Sequence, residues 1–168
     1  MEYTKTNRVV ANWLLICCAL VFAMVVLGGV TRLTGSGLSM VEWRPIMGAI
    51  PPLSAEDWQE TFEIYQLTPE FQKVNSDFDL SDFKGIFWLE YLHRLLGRLI
   101  GLVFVLPMLY FAATGYIRMR DLPKYLLMLA LGGGQAFIGK LMVASGQVDA
   151  PQVSHYRLTA HLAAAFLV

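Results

Sequence analysis

Apolar residues fall along this chain in long blocks set apart by charged stretches. The first block runs from Val9 to Thr31. The second is free of charge from Leu99 to Ile117, but its helical spacing of apolar positions begins near Phe83. The third, Tyr125 to Ser145, is interrupted by Lys140 alone, and the fourth begins near Val153 and runs to Val168. A helix needs roughly 20 residues to cross a bilayer. The pattern therefore predicts helices over 9–31, 83–117, 125–145 and 153–168, the last barely long enough. The expected fold is an all-α membrane protein, a four-helix transmembrane bundle with a long outer loop over 32–82. The fourth block is still apolar at Val168, with no cap or polar tail, so the chain is expected to be a fragment of a longer protein.

Composition points the same way. Charged residues make up 15% of the chain, well under the roughly 25% of soluble domains. A net charge of zero leaves no basic footprint for nucleic acid. The two cysteines, Cys17 and Cys18, are adjacent inside the first block and read as small packing groups. The outer loop has no cysteine, so no disulfide holds it. The first block is too long for a signal peptide and lacks a cleavage site, which makes it a retained helix. The short stretch before it has no room for a transit peptide, pointing to a bacterial protein rather than an imported organellar one.

Charge sets the expected orientation. Lys5 and Arg8 precede the first helix, and Arg118, Arg120 and Lys124 lie between the second and third. From Arg32 to Lys84 there are nine acids, Glu42 among them, against four bases, Arg32, Arg44, Lys73 and Lys84. The positive-inside rule then places the N-terminus in the cytoplasm and residues 32–82 on the outer face of the bacterial cytoplasmic (inner) membrane.

The outer loop is too aromatic for a solvated tail, with Trp43, Trp58, Phe62, Tyr65 and Phe71. Ser54 and Asp57 have the spacing of a helix N-cap and its N3 partner. Trp58, Phe62 and Tyr65 follow at i, i+4 and i+7, one face of a short helix, and Pro51-Pro52 ends the element before it. A folded lid on the outer membrane face is the expectation.

Ionisable residues at membrane level are costly and usually functional. Here Arg32, Glu90, His93, Arg94, Arg98, Lys140, Arg157 and His161 fall into one layer near the outer interface. Glu90 and His93 share a helix face at i, i+3. Gly97 and Gly101 follow His93 at i+4 and i+8 and are expected to leave that face flat. Helices two and four run in the same direction, so His93 and His161 lie at similar depth. A porphyrin is a flat apolar plate with two carboxylates, suited to imidazoles on its iron, small residues at its faces and arginines at its propionates. This layer offers each, with Arg32, Arg94, Arg98 and Arg157 as the candidate propionate contacts. Gln135, among Gly132, Gly133, Gly134 and Gly139, either donates across helices or approaches a ligand. His155 points away from His161 by helical period and reads as a loop residue. The same imidazole pair suits an electron-carrying membrane cytochrome b equally well.

Longer motifs carry a resemblance. The run from Gly28 to Met40, GGVTRLTGSGLSM, followed by Trp43, Pro45 and Pro51-Pro52, resembles the first helix and outer loop of the haem A synthases. Glu90-Tyr-Leu-His93-Arg94 is similar to that family's ExxHR motif. Gln135, Gly139 and Met142-Val-Ala-Ser-Gly146 resemble its third helix, and Tyr156 to Leu162 its fourth. The acidic loop without cysteines is closer to the proteobacterial and mitochondrial branch than to the Bacillus-type branch.

The resemblance implies an eight-helix fold of two similar four-helix halves, this chain being the N-terminal one. It implies oxidation of the C8 methyl of haem O to a formyl group, giving haem A for cytochrome oxidase. His93 and His161 would ligate the iron of the substrate haem O, and Glu90 would be the catalytic carboxylate beside the methyl, stabilising positive charge or moving protons. A haem b cofactor would belong to the C-terminal half, so this half alone would be inactive. The implied partners are haem O, delivered by haem O synthase, an electron donor and the lipid bilayer. A homo-oligomer is compatible with the resemblance.

Overall fold

The structure, a computed structural model, describes residues 2–41, 47–146 and 153–167, with the side chains of all but 2–7 and 47. Six α-helices and one 3-10 turn, Met47–Ala49, make up the described fold, in the order α1 (Glu2–Leu33), α2 (Ala55–Gln66), α3 (Pro69–Lys73), α4 (Leu80–Ala113), α5 (Leu122–Gly146) and α6 (His155–Ala165). The all-helical expectation holds. Trp43, Pro45, Glu42 and Arg44 lie outside the described residues, as do Val168 and the 147–152 connection.

Among the described residues three helices, α1, α4 and α5, are long and apolar enough to cross a membrane. With α6 they form a multi-pass membrane bundle. The helix that contains His161 differs from expectation, because α6 covers only 11 residues, fewer than the roughly 20 of a full span. The other helices are close to the predicted ranges, with α1 and α4 starting earlier. The 34 residues of α4 extend to about 51 Å at 1.5 Å per residue, beyond a hydrocarbon layer of about 30 Å. Its first turns therefore leave the membrane and enter the lid.

Local chemistry sets these boundaries. Gly35 closes α1 in the left-handed region at φ 66°, with the Ser36 N–H donating to the Thr31 carbonyl (2.9 Å) and Gly35 N–H to Arg32. This pattern caps the last carbonyls of a helix, and glycine adopts it without steric cost. Asp79 caps α4, accepting from the N–H groups of Ser81 and Asp82. Pro107 lies inside α4, so the carbonyl four residues before it, on Val103, loses its helical donor. The indole N–H of Trp13 on α1 donates to that carbonyl at 2.8 Å. A backbone acceptor at membrane depth needs such a partner, because lipid offers none.

Two clusters of buried side chains bracket the molecule. The lid cluster joins Trp58, Phe62 and Tyr65 of α2 to Phe83, Ile86, Phe87 and Tyr91 of α4, together with Met40. The other joins Val10, Trp13 and Cys17 of α1 to Met108 and Phe111 of α4, with Ile117 beyond it. Between them the bundle is less tightly filled: no described residue in 18–30 or 92–107 is fully buried. His93 belongs to this middle zone, and α6, which carries His161, has no buried residue at all.

Candidate functional site

The first turns of α4 display Glu90, His93 and Arg94 on one face, as spacings of three and four require. Glu90 is 3% exposed, and its carboxylate accepts from three donors. Oε2 accepts from the Ser39 hydroxyl at 2.7 Å and from the Met40 N–H at 2.8 Å. Oε1 accepts from Nη2 of Arg94 at 2.5 Å. The same Nη2 donates to the Met40 carbonyl at 3.0 Å. Glu90 and Arg94 thus grip both polar ends of residue 40.

His93 is half-buried and faces α1. A methyl group added at Gly28 would sit 3.1 Å from its Nε2, so glycine makes room for the imidazole at that point. Gly97 and Gly101 follow it on α4 in different surroundings. A methyl at Gly97 would meet the Met24 side chain of α1, and one at Gly101 would meet nothing within 4 Å. The periodicity placed these glycines on the face of His93, but the crossing of α1 over α4 decides what covers each.

His161 is held by α5. A methyl at Gly139 would lie 3.0 Å from its Cε1 and 3.6 Å from Nδ1. The Gln135 amide donates across helices to the His161 backbone carbonyl at 2.7 Å, one of the two roles the sequence offered for it. The buried Nδ1 of His161 and Oε1 of Gln135 have no hydrogen-bond partner among the described residues. Contacts of 135 with 161 and of 141 with 157 show α5 and α6 antiparallel, and those of 28 with 93 and of 13 with 103 show the same for α1 and α4. Both α1 and α5 pack against α4 and against α6, so His93 and His161 stand on helices that share two neighbours.

The remaining predicted residues are more dispersed. Arg98 is half-buried one turn beyond Arg94, while Arg32, Lys140 and Arg157 are exposed. Arg157 donates to the Leu141 carbonyl at 2.6 Å, which ties α6 to α5. His155 is the exposed first residue of α6 and not part of a loop. No group of three or more metal-ligating side chains occurs among the described residues. Sequence reasoning missed Ser39, the Met40 backbone and Gly28 as direct neighbours of Glu90 and His93. Only their place in the GGVTRLTGSGLSM run hinted at them.

The lid holds a second buried carboxyl. Glu70 is 6% exposed and accepts from the Tyr65 hydroxyl at 3.1 Å, while the Asn75 amide donates to the Tyr65 oxygen at 2.8 Å. Burial pushes its pKa up to about 7 against the Tyr65 hydrogen bond, which lowers it, with the charge of Glu90 adding to the rise. The Tyr65 phenol is raised too, chiefly by burial.

Comparison with known proteins names the architecture. The family described as COX15-CtaA, cytochrome oxidase assembly protein, matches residues 11–168. This chain belongs to the COX15-CtaA family. Among curated relatives, the heme A synthase of Paramagnetospirillum magneticum is 59% identical over 162 residues, 96% of this chain and 46% of the relative. The heme A synthases of Nitrosomonas eutropha and Nitrosospira multiformis are each 56% identical, over 99% and 96% of this chain and 47% and 46% of their own lengths. The chain spans about half the length of the curated relatives it matches. No solved structure matches it. In this COX15-CtaA member, His93 stands against Gly28 of α1 and His161 against Gly139 of α5.

Proposed function

We propose that this chain forms the haem O-binding half of a haem A synthase, which oxidises the C8 methyl of haem O to a formyl group. The observation that carries the reading is the imidazole pair. His93 and His161 lie on helices of the same direction, each fitted against a glycine of the neighbouring helix. The residues suit a haem. Gly28 and Gly139 leave room beside the imidazoles, the buried Nδ1 of His161 has no partner, and the surrounding helix surfaces are apolar and not closely packed. Two imidazoles supply iron ligands, and arginines supply charge for propionates. Of these, Arg98 lies on the same helix as His93, while Arg94 already serves Glu90 through Nη2.

Glu90 is then the carboxylate beside the reacting edge. Three donors, the Ser39 hydroxyl, the Met40 N–H and the Arg94 guanidinium, hold its two oxygens in place. A fixed negative charge in a water-poor site stabilises positive charge developing on the methyl carbon. The lid keeps bulk water from that side through Trp58, Phe83 and Phe87. In this reading the positive-inside rule supports a bacterial inner-membrane protein with its N-terminus in the cytoplasm and residues 32–82 outside. Haem O synthase is the expected source of substrate. The reaction also needs a haem b cofactor in a second half, an external electron donor, and an oxidant and oxygen source to take up electrons from the methyl and supply the formyl oxygen.

The test uses the full-length protein in a host that makes haem O. Pigment extraction is expected to show haem A with the wild type. His93→Ala and His161→Ala should each lower bound haem and alter its ligand-field bands, and Glu90→Ala should keep the haem but lose haem A by about a hundredfold or more, the scale of a lost electrostatic contact in catalysis. Bands unchanged in both histidine variants would remove the pairing. Bound haem that the wild type never oxidises would instead favour an electron-carrying cytochrome b.

A further inference from the structure

The segment after α1 is expected to be a surface loop, yet it is among the most buried parts of the chain. Ser36 is 0% exposed, Ser39 1% and Leu38 4%. Its polar groups are satisfied inward. The Ser36 hydroxyl pairs with that of Thr34 at 2.7 Å. Ser39 Oγ lies 3.2 Å from the Ser36 carbonyl and 3.4 Å from that of Ile86, but its shortest contact, 2.7 Å, is to Glu90. Met40 gives its N–H to Glu90 and takes a hydrogen bond from Arg94 on its carbonyl.

From this geometry we infer that Ser39 is the positioning residue for Glu90, and that residues 36–40 form a clasp holding the carboxylate at one angle beside the haem-binding face. This deepens the proposed function and rests on it. A carboxylate on a helix has rotatable side-chain bonds and would otherwise sample several directions. Arg94, on the same helix one turn away, restrains one oxygen only. Ser39 and the Met40 amide come from a separate segment and reach the other oxygen. They therefore fix the plane of the carboxylate as well as its distance from α4. Of the two donors on Oε2 only the Ser39 hydroxyl belongs to a side chain, so its removal loosens the carboxylate while sparing the Met40 backbone contact. Precise placement of a charged group matters because misplacement by about 1 Å is enough to cost about a hundredfold in rate.

A double-mutant cycle in the full-length protein tests the assignment, reading the haem A formed per bound haem, together with deuterium exchange at the Met40 amide. Ser39→Ala is expected to lower conversion about tenfold with the haem spectrum unchanged, and Ser39→Thr to recover part of it by restoring the hydroxyl. Glu90→Gln is expected to lose more, and Ser39→Ala with Glu90→Gln to be no worse than Glu90→Gln alone, because Ser39 acts through Glu90. The Met40 amide should exchange faster in both single variants. Unchanged conversion in Ser39→Ala overturns the inference, and so does a double variant lower by the full Ser39→Ala factor. If the wild type makes no haem A, the functional reading fails by itself. Exchange at Met40 then decides the clasp, and equal rates in wild type, Ser39→Ala and Glu90→Gln would overturn it.

Discussion

The lid and the α5–α6 pair are built on opposite principles. In the lid, α2 packs its aromatic face into the first turns of α4. Tyr65 and Phe83 are completely enclosed, and their rings lie 4.9 Å apart. Both α2 and α4 begin with a capping box. This is how a water-soluble domain folds, by burying apolar area and satisfying its helix ends. The α5–α6 pair buries only Gly146. It is held by glycine contacts and by a few hydrogen bonds to backbone carbonyls, such as those from Gln135 and Arg157. In a bilayer no hydrophobic force joins helices, so close approach and polar contacts take over. The candidate site lies between the two regimes. His93 and Glu90 belong to the side finished by the lid, and His161 to the side held by small residues.

The contrast is tested first at its loosest point. Gly139→Leu should drive a bulky side chain into the His161 imidazole, and haem content in the purified protein should fall at least about tenfold, in line with the roughly 1–3 kcal/mol of overpacking. Gly133→Ala, where an added methyl meets nothing within 4 Å, should leave haem content as it is. Equal haem content in both variants would break the view that the α5–α6 side depends on glycine at that one contact.

The lid should respond to pH instead. The pKa of Glu70 is raised from 4.5 to about 7, so its contribution to lid stability is fully present below about pH 4.5 and is lost as the pH rises through about 7. The effect is at most roughly 3 kcal/mol. Protease resistance of the lid, followed from pH 4.5 to 8, should fall with rising pH in the wild type and stay flatter in Glu70→Gln. A flat wild-type profile would remove the buried acid from the lid's energetics. The smallest effect is expected at the α2 cap. Ser54→Ala removes the hydroxyl that accepts from the Asp57 N–H at 3.0 Å. It should destabilise the lid by about 1 kcal/mol and leave haem content unchanged.

Much of this was legible in the sequence where a residue's role depends on its near neighbours in the chain. The three long spans follow from apolar length. The α2 helix, its Ser54–Asp57 capping box and its buried Trp58, Phe62 and Tyr65 follow from spacing alone, because caps and helix faces are local. The same holds for Glu90, His93 and Arg94 sharing a face of α4. What covers Gly97 and Gly101 was not legible, for the complementary reason. Periodicity tells which residues share a face, but not which helix crosses it.

What only the tertiary structure decided is therefore the set of contacts between distant segments. Gly28 makes room for His93, Trp13 supplies the donor that Pro107 removes from Val103, and Ser39 with Met40 holds Glu90 across some fifty residues of chain. Hydrogen bonds and close packing act over a few ångströms, and no local pattern records which partners folding brings within that reach. The amino-acid order determined the helices and the chemistry they carry. The crossing of α1 over α4 and the inward turn of residues 36–40 decided how that chemistry is aimed.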